Sequence, residues 1–319
     1  MRSRGIVELV VCAWMVTLAL SGCTGGAGMP EAAVVTRPLL SAHPAWWREA
    51  PAAARAGVYV SQANGSFDGV IFGFTAGNRR NDPPVCSIEG QKFADSQIAT
   101  DPAGNLYVPN IVTASVNIYA PGCGKLIASV ADPYGAAVDA VFGGTTIYAA
   151  GGATVAVCTP RGCTSALTDP SIFQLETAAV DSAGNVWVSY YSQKGAITLI
   201  VWPNGSMPGR VVSGYVNQNT PGDLMFDRNG TLVSLQTRFS HVYTYRCNAA
   251  TAACTNTGTF DLRAGSLFGA LNRRNTNFQV SDYVNHSVDV YAYPSFAYQY
   301  SYSRGLLPND AVEGIVQTR

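Results

Sequence analysis

Charge is scarce in this chain. Only 13% of its 319 residues are Asp, Glu, Lys or Arg, about half the share usual in soluble domains, and the 20 basic and 20 acidic residues cancel. No basic patch or aromatic RNA-binding motif accompanies that balance, which argues against nucleic acid as a partner. Histidine is scarcer still, with three in all at His43, His241 and His286, too few in one domain for a zinc site built on three imidazoles. No G-x-S-x-G elbow, P-loop or Rossmann fingerprint is present, so the nucleophile and phosphate-binding devices those motifs carry are excluded. The apolar run Leu9 to Leu20 has twelve residues, short of the roughly 20 that a helix needs to cross a bilayer. A sustained 3.6-residue apolar period is also missing; one or two helical turns over Glu49 to Arg55 are the exception, and the domain is expected to be nearly all β.

The N-terminus carries Arg2 and Arg4, then the apolar run, then Leu20-Ser21-Gly22-Cys23. This resembles a bacterial lipoprotein signal, with Glu8 a departure from the pattern. The resemblance implies removal of residues 1–22, acylation of Cys23, and anchoring to a membrane from outside the cytoplasm. Thr24 after the cysteine implies the outer membrane in a diderm cell. Residues 23–56, with Pro30, Pro38, Pro44 and Pro51, read as a lipidated tether, and 57–319 as the folded domain. Of the eight cysteines, Cys12 leaves with the signal and Cys23 is lipidated. The remaining six form an even set in an exported chain, which reads as disulfides. Cys158 with Cys163 and Cys247 with Cys254 each bracket a turn, and elimination leaves Cys86 with Cys123 across the outer strands of the first two repeats.

Three stretches repeat one another: Ile98 to Asn110 (IATDPAGNLYVPN), Ala178 to Tyr190 (AAVDSAGNVWVSY) and Leu224 to Gln236 (LMFDRNGTLVSLQ). Each reads as a strand, an Asp-x-x-Gly turn and a second strand, a β-hairpin repeated until its apolar faces are covered. With Asp101, Asp139, Asp181 and Asp227 as turn markers, the spacings are 38, 42 and 46 residues, close to one four-stranded blade. The first repeat, from Gly57, lacks its first strand, and Ala311 to Thr318 supplies that pattern at the far end. The expected fold is therefore an all-β, six-bladed β-propeller closed by its C-terminal strand, which removes exposed edges.

The segments DPAGNLYV and DSAGNVWV resemble the six-bladed propellers of the NHL and TolB-like group, which includes virginiamycin B lyase and the gluconolactonase family. On such scaffolds function lives in grafted sites. Ligands of propellers usually bind on the face shared by the blade-connecting loops and the loops between second and third strands, so a protein or carbohydrate partner is expected at that channel mouth. Aligning the starts of the innermost strands gives Asp95, Glu176, Asp223 and Glu313, with Asp310 just outside. They read either as a hard-oxygen rim for Ca²⁺ or Mg²⁺ or as solvated loop acids. Glu313-Gly314 is similar to the start of a gluconolactonase metal-ligand segment, without its proline. The resemblance to virginiamycin B lyase implies a histidine acting near Mg²⁺; His286 with Asp282 is the candidate acid/base pair, with His241 beside it, and a plain surface role is the other reading. Tyr291, Tyr293, Tyr298, Tyr300 and Tyr302 read as a sugar-stacking surface or as packing between blades. The sequence-level function is a membrane-anchored extracytoplasmic binding module, with a metal-dependent lactonase or lyase as the alternative.

Overall fold

The structure, a computed structural model, describes residues 56–64, 68–76, 82–92, 97–134, 139–143, 146–216, 221–236, 240–263, 265–308 and 310–317. The chain divides into two compact units, Met1–Trp47 and Arg48–Arg319, and every described residue belongs to the second. The signal segment, Cys23, the tether as far as residue 55 and Asp95 lie outside the described residues, while Ala56, assigned to the tether from sequence, opens the first strand.

Among the described residues, twenty-four strands form six four-stranded antiparallel sheets. Blade one is composite: β24 (Ala311–Gln317) is its innermost strand, with β1 (Ala56–Ala63), β2 (Asp68–Thr75) and β3 (Cys86–Lys92) following outward. Blade two runs β4 (Ala99–Thr100), β5 (Leu106–Asn110), β6 (Ser115–Tyr119) and β7 (Leu126–Ala131). Blade three holds β8 (Asp139–Gly143), β9 (Thr146–Gly151), β10 (Thr154–Thr159) and β11 (Gly162–Thr168). Blade four holds β12 (Ile172–Val180), β13 (Val186–Ser192), β14 (Ile197–Trp202) and the two-residue β15 (Arg210–Val211). In blade five the order is β16 (Pro221–Phe226), β17 (Thr231–Gln236), β18 (His241–Asn248) and β19 (Ala253–Asp261). Blade six completes the round with β20 (Ser266–Leu271), β21 (Asn277–Asp282), β22 (Ser287–Ala292) and β23 (Ala297–Tyr302). The first strands touch in sequence, β4 to β8, β8 to β12, β12 to β16, β16 to β20, β20 to β24 and β24 back to β4, which closes the ring.

The repeated aspartate explains why each hairpin turns where it does. Asp101 accepts hydrogen bonds from the backbone and side chain of Asn105 and from the Tyr107 hydroxyl. Asp181 does the same with Asn185 and the Trp187 indole N–H. The carboxylate thus satisfies turn amides that neither strand can pair and ties them to a buried aromatic on the second strand. Gly104, Gly184 and Gly230 hold the positive φ these turns require, and in blade six Asn275 fills that place at φ 52°. Asp139 departs from the expectation. It is the first residue of β8, not part of a turn, and the blade-three hairpin reverses between Gly143 and Thr146. The 38- and 42-residue spacings therefore mixed a strand residue with turn residues.

The core lies between blades. At the closing seam Val58, Val60 and Phe74 of blade one pack with Val288 and Val290 of blade six and with Val312 and Ile315 of β24. Three disulfides are formed. Cys158–Cys163 and Cys247–Cys254 staple the outer hairpins of blades three and five. Cys86–Cys123 links blades one and two with a Cα separation of 5.9 Å. Cys86 starts the outer strand β3, whereas Cys123 sits in the β6–β7 turn.

Candidate functional site

Three polar side chains meet on the propeller axis: Gln97, Thr177 and Asp223, exposed by 8%, 0% and 2%. Thr177 and Asp223 stand three residues before the ends of β12 and β16, and Gln97 stands three before the end of β4. In blades one, four, five and six a β-bulge lies at or just ahead of this level, bending the strand toward the axis. Asp223 accepts hydrogen bonds from Gln97 Nε2 (2.7 Å), Thr177 Oγ1 (3.2 Å), its neighbour's amide at Leu224 (2.8 Å) and the Gly269 amide (3.0 Å). Gln97 in turn donates to the Gly269 carbonyl and accepts from the amides of Ile98 and Ile315. A buried carboxylate is tolerated only when donors replace its water, and here they come from blades two, four, five and six. The axis is a polar knot that joins the ring.

Beyond the knot, toward the Asp-x-x-Gly turns, the channel widens into a cavity of about 700 Å³. Its walls are the second halves of β4, β12, β16, β20 and β24, and Gln97, Asp223 and Gly269 also line it. The rim carries Pro102, Ser182, Arg228 and Arg273 from four turns. The cavity therefore opens on the face of the first-to-second-strand turns, the opposite end from the blade-connecting loops where the sequence led us to expect a ligand.

The structure separates the three described acids of the expected rim. Asp223 belongs to the knot. Glu176 lies at the register shift between Leu175 and Thr177; it is half-buried and accepts a hydrogen bond from Gln174 Nε2 at 3.0 Å. Burial, and then the Glu176 carboxylate, push Tyr191 up to about 12. Glu313 is buried one residue before Gly314, and its backbone carbonyl accepts from Ser281 Oγ. Gly314, whose amide bonds to Ser61 Oγ, is the blade-one residue level with Asp223, three before the end of β24. Glu176 and Glu313 thus fall one residue short of the axial position, because a bulge shifts register. Asp95 lies outside the described residues. Among the described residues no group of three His, Cys, Asp or Glu side chains is placed to hold a metal ion.

The candidate acid/base residues are engaged locally. Asp282, 1% exposed, accepts from the amides of Val284 and Asn285 and from Asn285 Nδ2. It shapes the β21–β22 turn. His286 Nδ1 donates to the Asp310 carbonyl at 2.9 Å, so no hydrogen bond joins the two candidates. Burial raises the Asp310 carboxyl above its usual range, with His286 opposing the shift. His241 opens β18 with Nδ1 2.7 Å from Asp261 on the facing strand. The tyrosine run is chiefly packing: Tyr291 and Tyr302 are buried, Tyr293 meets Phe296 edge-on, and Tyr298 alone of the five is largely exposed, beneath the Arg263 guanidinium.

Gln97, Thr177, Arg228 and Arg273 were not singled out from sequence. Counting back from the strand end, not matching acids, finds the first two, and counting one residue past the turn aspartate finds Arg228.

No family model matches this sequence, and no curated protein does. Solved structures share its fold. A chain from a nidogen–laminin complex superposes with a TM-score of 0.63 at 13% identity, over 82% of this chain and 98% of that one. A calcium-binding protein, regucalcin, from Agrobacterium tumefaciens gives 0.50 at 13% identity, over 66% of this chain and 74% of that one. A streptogramin B lyase gives 0.50 at 9% identity, over 67% and 70%. The chain is a six-bladed β-propeller, of the fold found in nidogen-type, regucalcin-like and streptogramin B lyase propellers.

Proposed function

We propose that the protein is an extracytoplasmic binding module, held at a membrane by a lipid on Cys23, whose ligand occupies the cavity on the turn face of the propeller. One observation carries this reading. The carboxylates nearest the axis act as framework, Asp223 in the knot and Asp181 and Asp227 in their turns, while the space beyond them is lined, among the described residues, by β4, β12, β16, β20 and β24. Concave, partly apolar cavities are the usual form of small-molecule sites. Three disulfides support an oxidising compartment.

The alternative, a lactonase or lyase using Ca²⁺ or Mg²⁺ on the rim of Asp95, Glu176, Asp223 and Glu313, parts from this reading over metal. Protein purified without chelator is expected to hold less than one equivalent of either ion and to melt at the same temperature after EDTA treatment. Stoichiometric, tightly held metal would return the acidic rim to catalysis. The cavity is tested by native mass spectrometry. A small molecule retained by the wild type is expected to be lost from Ser182→Trp, which fills the mouth, and retention by that variant would remove the cavity from the argument. For the anchor, Cys23→Ser is expected to abolish fatty-acid labelling, and equal label in both proteins would refute lipidation.

A further inference from the structure

In four blades the repeat sets one side chain at the same point of the cavity rim, the residue following the first residue of the turn. In blades two, four, five and six these are Pro102, Ser182, Arg228 and Arg273. The two arginines stand on neighbouring blades, and among the described residues neither guanidinium is in an ion pair or a hydrogen bond. The same wall holds Asn275 and Gln317, whose side-chain amide nitrogens are screened from solvent and have no hydrogen-bond partner among the described residues.

The carboxylates of the wall, and Asn272, are already engaged. Asp181 accepts from the amides of Ala183 and Asn185, from Asn185 Nδ2 and from the Trp187 indole. Asp227 accepts from the amides of Asn229 and Thr231 and from the Tyr293 hydroxyl. Asp223 is enclosed by its four donors, and Asn272 Oδ1 takes the amides of Thr276 and Asn277. What the charged groups of the wall offer an incoming molecule is therefore the N–H donors of two guanidiniums, Arg228 and Arg273. A cation would meet two guanidiniums and engaged carboxylates. A carboxylate or phosphate would meet the planar, fork-shaped donors that bind it in pairs of parallel hydrogen bonds.

Resting on the reading that this cavity is the binding site, we propose that its ligand is a small acceptor-rich anion, bearing a carboxylate or a phosphate, gripped by Arg228 and Arg273. A volume of about 700 Å³ suits a molecule of roughly disaccharide size, and Met225, Phe226 and Leu271 give its apolar portion a surface to lie on.

The test is chemical-shift mapping with three probes at millimolar concentration: digalacturonate, glucose 6-phosphate and neutral maltose. One or both anions are expected to move the side-chain Nε–H signals of Arg228 and Arg273 together with the backbone amides of Ser182 and Asn275, and maltose is expected to leave them in place. Whichever anion binds more tightly identifies the acidic group. Arg228→Ala and Arg273→Ala should each weaken that anion about tenfold or more, the loss of one charge-assisted contact. Both side chains are exposed, so the melting temperatures of these variants should match the wild type. Maltose moving the cavity signals while the anions do not would overturn the anionic ligand and leave the cavity reading standing. Anions shifting only the far face, at Val112 and Phe173, would overturn both. No response to either anion, or equal binding by the arginine variants, would overturn the proposal itself.

Discussion

Removing β24 is the most severe test of the closed ring. Val312 and Ile315 are fully buried at the seam between blades one and six, and each buried aliphatic side chain contributes about 1.5–3 kcal/mol, so their loss alone costs about 3–6 kcal/mol. The strand also pairs with β1 from Val58↔Gln317 to Ala63↔Ala311. Its backbone bonds to Ser61 and Gln97 deep in the ring. All eight residues of β1 are buried, and deletion would leave them beside an unpaired edge. With roughly 1 kcal/mol net for each lost hydrogen bond, the total approaches the 5–15 kcal/mol that holds a typical domain folded. A chain ending at Pro308 is therefore expected to show no cooperative urea transition in tryptophan fluorescence, or to aggregate. Ile315→Ala, which keeps the strand, should cost about 2–5 kcal/mol. Val112→Ala, 64% exposed in the β5–β6 turn, should stay within about 0.5 kcal/mol of wild type. A truncated protein that unfolds cooperatively within a few degrees of full length would refute this closure, and with it the composite first blade.

The knot predicts that Asp223→Ala costs about 3–5 kcal/mol, because the Gly269 amide is left buried without its acceptor and the hub that joins blades two, four, five and six is lost, whereas Thr177→Val costs about 1 kcal/mol; equal costs in denaturant titrations would show that Asp223 is not the hub. Among the disulfides, Cys86–Cys123 spans 37 residues against 5 and 7 for the hairpin staples. Loop-closure entropy then assigns it about 4 kcal/mol and each staple about 2, so the Cys86→Ser/Cys123→Ser pair should lower the urea midpoint most. The tyrosines set the alkaline limit. Burial raises Tyr59, Tyr119, Tyr148 and Tyr190 above the ordinary 10.0 and takes Tyr191 up to about 12. A folded-state value above the unfolded one means the unfolded chain ionises first, so stability is intact below pH 10 and falls as pH rises beyond it. Ultraviolet titration of tyrosinate should show native tyrosines lagging behind those of urea-unfolded protein, and superimposed curves would contradict the burial.

The number of blades, nearly all the strands and the two hairpin disulfides were legible in the sequence because each depends on local chemistry, and Cys86–Cys123 followed by elimination. An Asp-x-x-Gly turn closes on its own amides, alternating apolar residues mark strands facing two neighbours, and a cysteine pair bracketing a tight turn has its partner close by. The composite blade was legible for a related reason: a first repeat missing one strand and a last fragment supplying it leave one way to cover both edges. The site depended on what is not local. Bulges in the innermost strands shift register by one residue, so an alignment that matched acids put Glu176 and Glu313 level with Asp223, while the folded chain sets Thr177 and Gly314 there instead. Asp139 looked like a turn marker because residue type alone does not reveal which side of a hairpin bend it occupies. Arg228 and Arg273, forty-five residues apart in the chain, share a cavity rim only once ring closure brings their blades side by side. The hairpin repeat carries its own instructions in its turns and periodicity, but which side chains meet at the axis, and at which end the channel opens, is decided by the packing of six blades around a common centre.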